Sequence, residues 1–348
     1  MSLFDADKEL QRWKGFMSNL TEDEPKTGLT PKQAIWRKNK ATLWYYPATE
    51  KKYDVPVFLV YSLVNQPFIL DLQPGASKIE AFVNNGYNVY LIDFGIPSYE
   101  DKDTTLSDYV VDYIQKGIQR ALRHSEAKEI TVIGYCLGGT LAAMYAAIAW
   151  EPIKNLILFV TPIDFHATNQ FDKVADELLN GQVDIGEVID AHGIIPGSSV
   201  EAAMRLMTSP FYFSRYLSLL NKSYDKEYVE KWRRFNKWTK GHIPFPGGAL
   251  KQLIYDLGKD NQLVKGEMLI RGKRADLSHI DANLLVVSSQ HDRLVPKEQS
   301  YPIMDQVSSK DKTFLLVEGG HTHLTVKKGQ LPETLTDWLP QRSNRVNT

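Results

Sequence analysis

From about residue 42 onward, short apolar runs alternate with amphipathic stretches. The runs fall at 42–46, 55–63, 87–92, 129–134, 154–160, 282–288 and 313–317. Most are rich in Val, Ile, Leu, Phe or Tyr, as strands buried in a parallel sheet are. Helical stretches sit between them, near 76–84, 107–124, 137–150 and 297–308. The alternation predicts a mostly parallel sheet flanked by helices on both faces.

Two segments depart from it. Between about 166 and 275 the pattern is mainly helical and rich in aromatics: Phe171, Phe211, Tyr212, Phe213, Tyr216, Tyr228, Trp232, Phe235, Trp238 and Phe245. Ile243-Pro244-Phe245-Pro246-Gly247-Gly248 reads as a rigid turn within it. The strands resume at Ile280, so 166–275 is expected to be a cap inserted into an α/β core made of 41–165 and 276–348. Before the core, residues 3–20 place Leu3, Leu10, Trp13, Met17 and Leu20 at roughly helical spacing among charges. Thr30-Pro31-Lys32-Gln33 has the form of a helix start, with Thr as N-cap and Pro at the first helical position. Residues 1–40 are therefore expected to be a helical segment. There are no internal repeats and no low-complexity tract.

Composition narrows the class. The 348 residues are 43% hydrophobic and 24% charged, with a net charge of -1, which suggests a globular protein without a nucleic-acid partner. The locally basic stretch Trp232–Lys237 reads as a solvated helix face. A single cysteine excludes an internal disulfide and fits a reducing compartment. The first residues lack the basic start and apolar run of a signal peptide. No run reaches the ~18 apolar residues of a spanning helix. The expectation is a cytoplasmic protein, able to sit on an apolar surface.

That cysteine carries the chemistry. The run Ile130–Ile133 leads into Gly134-Tyr135-Cys136-Leu137-Gly138-Gly139 and then a helix. This is a nucleophile elbow, G-x-nucleophile-x-G, with Cys136 as nucleophile. Gly134, Gly138 and Gly139 fit because a sharp strand-to-helix turn crowds its neighbours. A helix N-terminus favours a thiolate and later an oxyanion. The base is expected at His321, just past the run 313–317, where Gly319-Gly320 lets the loop approach; His323 is the competing candidate. Asp292, in the loop after 282–288, is the expected orienting carboxylate. The order Cys136, Asp292, His321 is that of the α/β-hydrolase fold. The oxyanion donors are expected to be the amides of Leu137 and Val64, with Asn65 holding the early loop. No metal is expected.

Several further segments resemble the short polyhydroxyalkanoate synthase catalytic subunits of the class III and class IV type. Gly28–Lys32 with Trp36–Lys40, Leu63–Leu72 (LVNQPFILDL), Leu91–Gly95 (LIDFG), the box Gly134–Thr140, Ile243–Gly247 (IPFPG), Leu263–Glu267 (LVKGE), Ile270–Gly272 and Asp276-Leu277 are similar to that family's motifs. There are departures: Arg293 follows Asp292 where the family commonly has His, His321-Thr322-His323-Leu324 lacks its usual small residues, and Thr239–His242 stands where an Asp often precedes the turn. The resemblance implies an α/β-hydrolase fold and polymerisation of (R)-3-hydroxyacyl-CoA, 3-hydroxybutyryl-CoA among them, into polyester. Coenzyme A would be released as part of the substrate, with no separate cofactor. It also implies a second synthase subunit and a place at the surface of polyester granules; a homodimeric active form is a further expectation. Two other readings remain open: a Cys-nucleophile hydrolase of thioesterase or dienelactone-hydrolase type, and a non-catalytic granule-surface or scaffold protein.

Overall fold

The computed structural model describes residues 6–21, 24–168, 185–208, 211–322 and 329–346. Eight strands form one sheet: β1 (Gln33–Lys38), β2 (Ala41–Tyr46), β3 (Val57–Val60), β4 (Val89–Asp93), β5 (Ile130–Tyr135), β6 (Ile153–Phe159), β7 (Asn283–Ser289) and β8 (Lys312–Val317). Their order is β1-β2-β4-β3-β5-β6-β7-β8. From β4 to β8 every pairing is parallel, and β1 and β2 add an antiparallel edge.

The central strands are buried on both faces. In β3, Phe58 and Val60 join one apolar cluster while Val57 and Leu59 join another. Successive side chains of a strand point to opposite faces. Two covered faces therefore yield a continuous apolar run, the signal that located these strands in the sequence.

The first cluster is covered by α3 (Lys116–Ser125), with the wide helical turns Tyr109–Gln115 before it, and by α4 (Leu137–Ile148). The second packs against α2 (Lys78–Asn84). Residues Gly138 to Ala147 of α4 are all buried, so the element that starts at the nucleophile runs through the core.

The N-terminal segment 1–40 is not helical throughout. A helix, α1, spans Ala6–Thr21, but residues 33–38 are strand β1, paired with β2. Thr30 does not cap a helix: its hydroxyl and its backbone N–H both donate to the buried Asp71 carboxylate, at 2.7 and 2.9 Å. A two-residue turn with Asn39 at φ 51° then folds β1 back on β2. Ile35 and Trp36 pack against the core from this strand.

The segment expected as one cap, 166–275, divides by packing. Helices α5 (Ile185–His192), α6 (Gly197–Thr208), α7 (Phe211–Lys222) and α8 (Lys226–Lys240) come first. Leu219, Val229 and Trp232 of α7 and α8 form a cluster of their own. α1 lies on these two helices, with Phe16 against that cluster. From Phe245 onward the chain instead joins the main core, through Ala249 of α9 (Gly247–Gln252), Leu257, Leu263, Met268, Ile270 and Ala275. Of the aromatics counted toward the cap, Phe171 lies outside the described residues, and Phe245 belongs to the core.

Candidate active site

The elbow has the geometry its glycines imply. Cys136 stands between β5 and α4 with φ 51° and ψ -129°, a strained backbone for a residue with a side chain. Its N–H donates to the Phe159 carbonyl at 3.0 Å, and its carbonyl accepts from Gly139 N–H at 2.8 Å. A Cβ at Gly138 would lie 2.5 Å from the carbonyl oxygens of Val60 and Tyr61; one at Gly139 would strike the Thr161 side chain. One at Gly134 would lie 2.8 Å from the Gly138 carbonyl oxygen. The three glycines thus let β3, β5 and the start of α4 approach closely enough to expose the thiol. The half-buried Cys136 opens on a chamber of about 80 Å³.

Base and acid meet as the chain order implied. His321 Nδ1 lies 2.8 Å from Asp292 Oδ2, which leaves Nε2 as the ring nitrogen for the thiol. The other carboxylate oxygen of Asp292 accepts from the backbone N–H groups of Leu294 and Val295, both at 2.9 Å. Asp292 is buried, and these bonds fix its carboxylate in place. Backbone bonds from Gln290 to Val317 and from His291 to Gly319, each 2.8 Å, tie the acid loop to the base loop. Gly319, at φ 122°, makes the turn that brings His321 in. The competing candidate His323 lies outside the described residues.

Burial lowers the basicity of His321. Cys136, by charge and hydrogen bond, and Asp292 outweigh it and raise the imidazole from 6.5 to about 10. At neutral pH the imidazole therefore rests toward its protonated form.

The early loop lies across the same chamber. Val64 lines it beside Cys136, and the Val64 carbonyl accepts from Ile243 N–H at 3.4 Å. Asn65 is buried; its amide donates to the Trp238 carbonyl at 2.8 Å and its side-chain oxygen accepts from Gln66 N–H at 2.7 Å. Asn65 so fastens the loop to α8. Leu137 is the first residue of α4, where backbone amides point outward.

The chamber is also lined by polar residues that the sequence did not single out for chemistry, among them Tyr61, Ser62, Lys78 and His242. The Ser62 hydroxyl is buried with no hydrogen-bond partner among the described residues, as is His242 Nδ1. Burial keeps His242 below its usual pKa and Tyr61 well above its own, so both are neutral at pH 7. Burial also lowers Lys78 to about 8. One signal for Lys78 was legible: Ser77 caps α2, accepting from Glu80 N–H at 2.9 Å, and so places a cation in the first turn, where the helix dipole disfavours it.

A family model for the alpha/beta hydrolase fold matches residues 56–327. The poly(3-hydroxyalkanoate) polymerase subunit PhaC of Allochromatium vinosum is 31% identical over 338 residues, covering 94% of this chain and 93% of that protein. The chain belongs to the α/β-hydrolase fold and, within it, to the poly(3-hydroxyalkanoate) polymerase PhaC family. The protein of the same name from Synechocystis sp. is 31% identical over 94% of this chain and 88% of its own length. That from Haloferax mediterranei is 34% identical over 93% of this chain, which spans 66% of that longer protein. Among the described residues no cluster of side chains is arranged to hold a metal ion, and no helix is long and apolar enough to cross a membrane.

Proposed function

We propose that the chain polymerises (R)-3-hydroxyacyl-CoA, 3-hydroxybutyryl-CoA included, into polyester with release of coenzyme A. The observation that carries this reading is a thiol nucleophile on a strained elbow, sharing one chamber with a His–Asp pair. Membership of the polymerase family supports it.

In the proposed cycle His321 holds the proton of Cys136, and the thiolate attacks the thioester carbonyl. The amides of Leu137 and Val64 receive the oxyanion. The carbon–sulfur bond to coenzyme A breaks, and His321 returns its proton to the leaving thiolate. A second 3-hydroxyacyl group then gives its hydroxyl proton to His321. Its oxygen attacks the acyl-Cys136 carbonyl, so an ester forms as the Cys136 thioester breaks. Asp292 keeps the ring oriented through both halves. Water would compete for the acyl-enzyme, and the aromatic wall of Phe235 and Trp238 at the adjoining chamber favours its exclusion.

Coenzyme A enters as part of the substrate, and no separate cofactor belongs to the scheme. A second synthase subunit and a homodimeric active form belong to the proposal, as does a cytoplasmic place at the polyester granule. Leu10, Trp13 and Met17, each about half exposed along one side of α1, are the contact it assigns to the other subunit.

The test is product analysis with 3-hydroxybutyryl-CoA. Wild-type protein is expected to release coenzyme A and deposit insoluble polyester, and Cys136→Ala to do neither. Soluble 3-hydroxybutyrate as the sole product would make the protein a hydrolase instead. Coenzyme A release by the Ala variant at the wild-type rate would remove Cys136 from the reaction.

A further inference from the structure

Among the polar groups at the Cys136 chamber that have no function in the scheme above are the Ser62 hydroxyl and the Lys78 ammonium. The Ser62 hydroxyl is buried, with Ser62 itself 5% exposed, and has no hydrogen-bond partner among the described residues. Lys78 has no carboxylate within ion-pair distance among the described residues. Its Nζ instead stands 4.6 Å from the ring centroid of Tyr135, the residue before the nucleophile. Apart from burial, nothing shifts its titration, which fits an ammonium without a countercharge. Around these two groups the wall is largely apolar, with Val64, Ile69 and Val160. An ammonium that faces a ring and, among the described residues, no carboxylate, and a hydroxyl without an acceptor there, each carry a desolvation cost, which a ligand oxygen would relieve. Asn65 does not serve, because Trp238 and Gln66 already occupy its side chain.

We propose that Lys78 and Ser62 form the binding site for the oxygen on the third carbon of the acyl group, and so select 3-oxygenated acyl thioesters over plain ones. This rests on the polymerase reading and assigns the residues that read its substrate. The size agrees: a space of about 80 Å³ holds a short acyl group of a few heavy atoms. In the incoming monomer that oxygen is a hydroxyl, and in the grown chain it is an ester oxygen. Both accept a hydrogen bond from the Lys78 ammonium. A plain acyl group would leave ammonium and hydroxyl unpaired, which is the strongest form of rejection such a site has.

The test compares acylation rates for 3-hydroxybutyryl-CoA and butyryl-CoA, read as the burst of coenzyme A release. Lys78→Met is expected to lower the ratio of the two rates about tenfold or more. Ser62→Ala is expected to lower it less, in the same direction, and serves where Met at 78 prevents folding. Lys78→Gln, which keeps a donor, is expected to restore part of the ratio. An unaltered ratio in both Lys78→Met and Ser62→Ala, whether or not the rates fall, overturns the assignment. Wild-type protein that releases coenzyme A from neither thioester overturns the polymerase reading itself and this inference with it.

Discussion

Each member of the triad is held by bonds that leave one face for chemistry. Asp292 uses one oxygen on the Leu294 and Val295 amides and the other on His321. Replacing it with Asn keeps an acceptor for the two amides but offers the imidazole no charge and favours the wrong tautomer. Asp292→Asn is expected to fold normally and to lower kcat by about 10³ to 10⁴, on the scale of the same change in serine triads. A stopped assay of coenzyme A release with 3-hydroxybutyryl-CoA measures it, and a loss under tenfold would show that His321 orients without the carboxylate. His321 also reports on Cys136. Its pKa is raised from 6.5 to about 10, so its contribution to stability is complete below pH 6.5 and is lost as pH rises through about 10. Cys136→Ala removes the largest raising influence, so an NMR titration of the imidazole is expected to find a lower midpoint. An unmoved midpoint would mean that Asp292 alone sets it.

At the scale of elements, the elbow depends on close approaches at three glycines, Gly134 and Gly138 against backbone and Gly139 against the Thr161 side chain. Gly138→Ala would drive a Cβ against the carbonyls of Val60 and Tyr61, which are fixed in and just after β3. The expected cost is about 1–3 kcal/mol or more of unfolding free energy, measured by chemical denaturation. A second expectation concerns α1. Phe16 reaches the small cluster of Leu219, Val229 and Trp232, away from the main core. Phe16→Ala should accelerate amide exchange in α7 and α8 while β5 and β6 keep their protection. Equal acceleration in the sheet would mean that the insertion and core open together. The edge strand shows how local signals mislead. Thr30-Pro31 has the chemistry of a helix start, but Thr30 is tied to Asp71, 41 residues along, and the chain then pairs with β2. Only Asn39, at the turn, marked the hairpin locally.

At the scale of the molecule, the strands of the core were legible because two covered faces force continuous apolar runs. The meeting of His321 with Asp292 beside Cys136 was legible because strand ends and glycines are local features. The division of the insertion was not, since Trp232 and Phe245 look alike in sequence. One is buried among α7 and α8, the other in the main core. Lys78 and Ser62 were hidden for a related reason. Their meaning comes from what does not contact them, and that is a property of the folded chamber. Distant parts of the chain meet at this chamber: the loop at Val64 and the elbow at Cys136 line it, and Ile243 holds the loop through the Val64 carbonyl.

The central claim is that Cys136 carries a growing polyester chain. The direct measurement is peptide mass spectrometry after brief mixing with 3-hydroxybutyryl-CoA and acid quench. The expected result is a ladder of 3-hydroxybutyryl repeats attached to the peptide containing Cys136. A single unit that never lengthens, or an acyl group on any other residue, would contradict it.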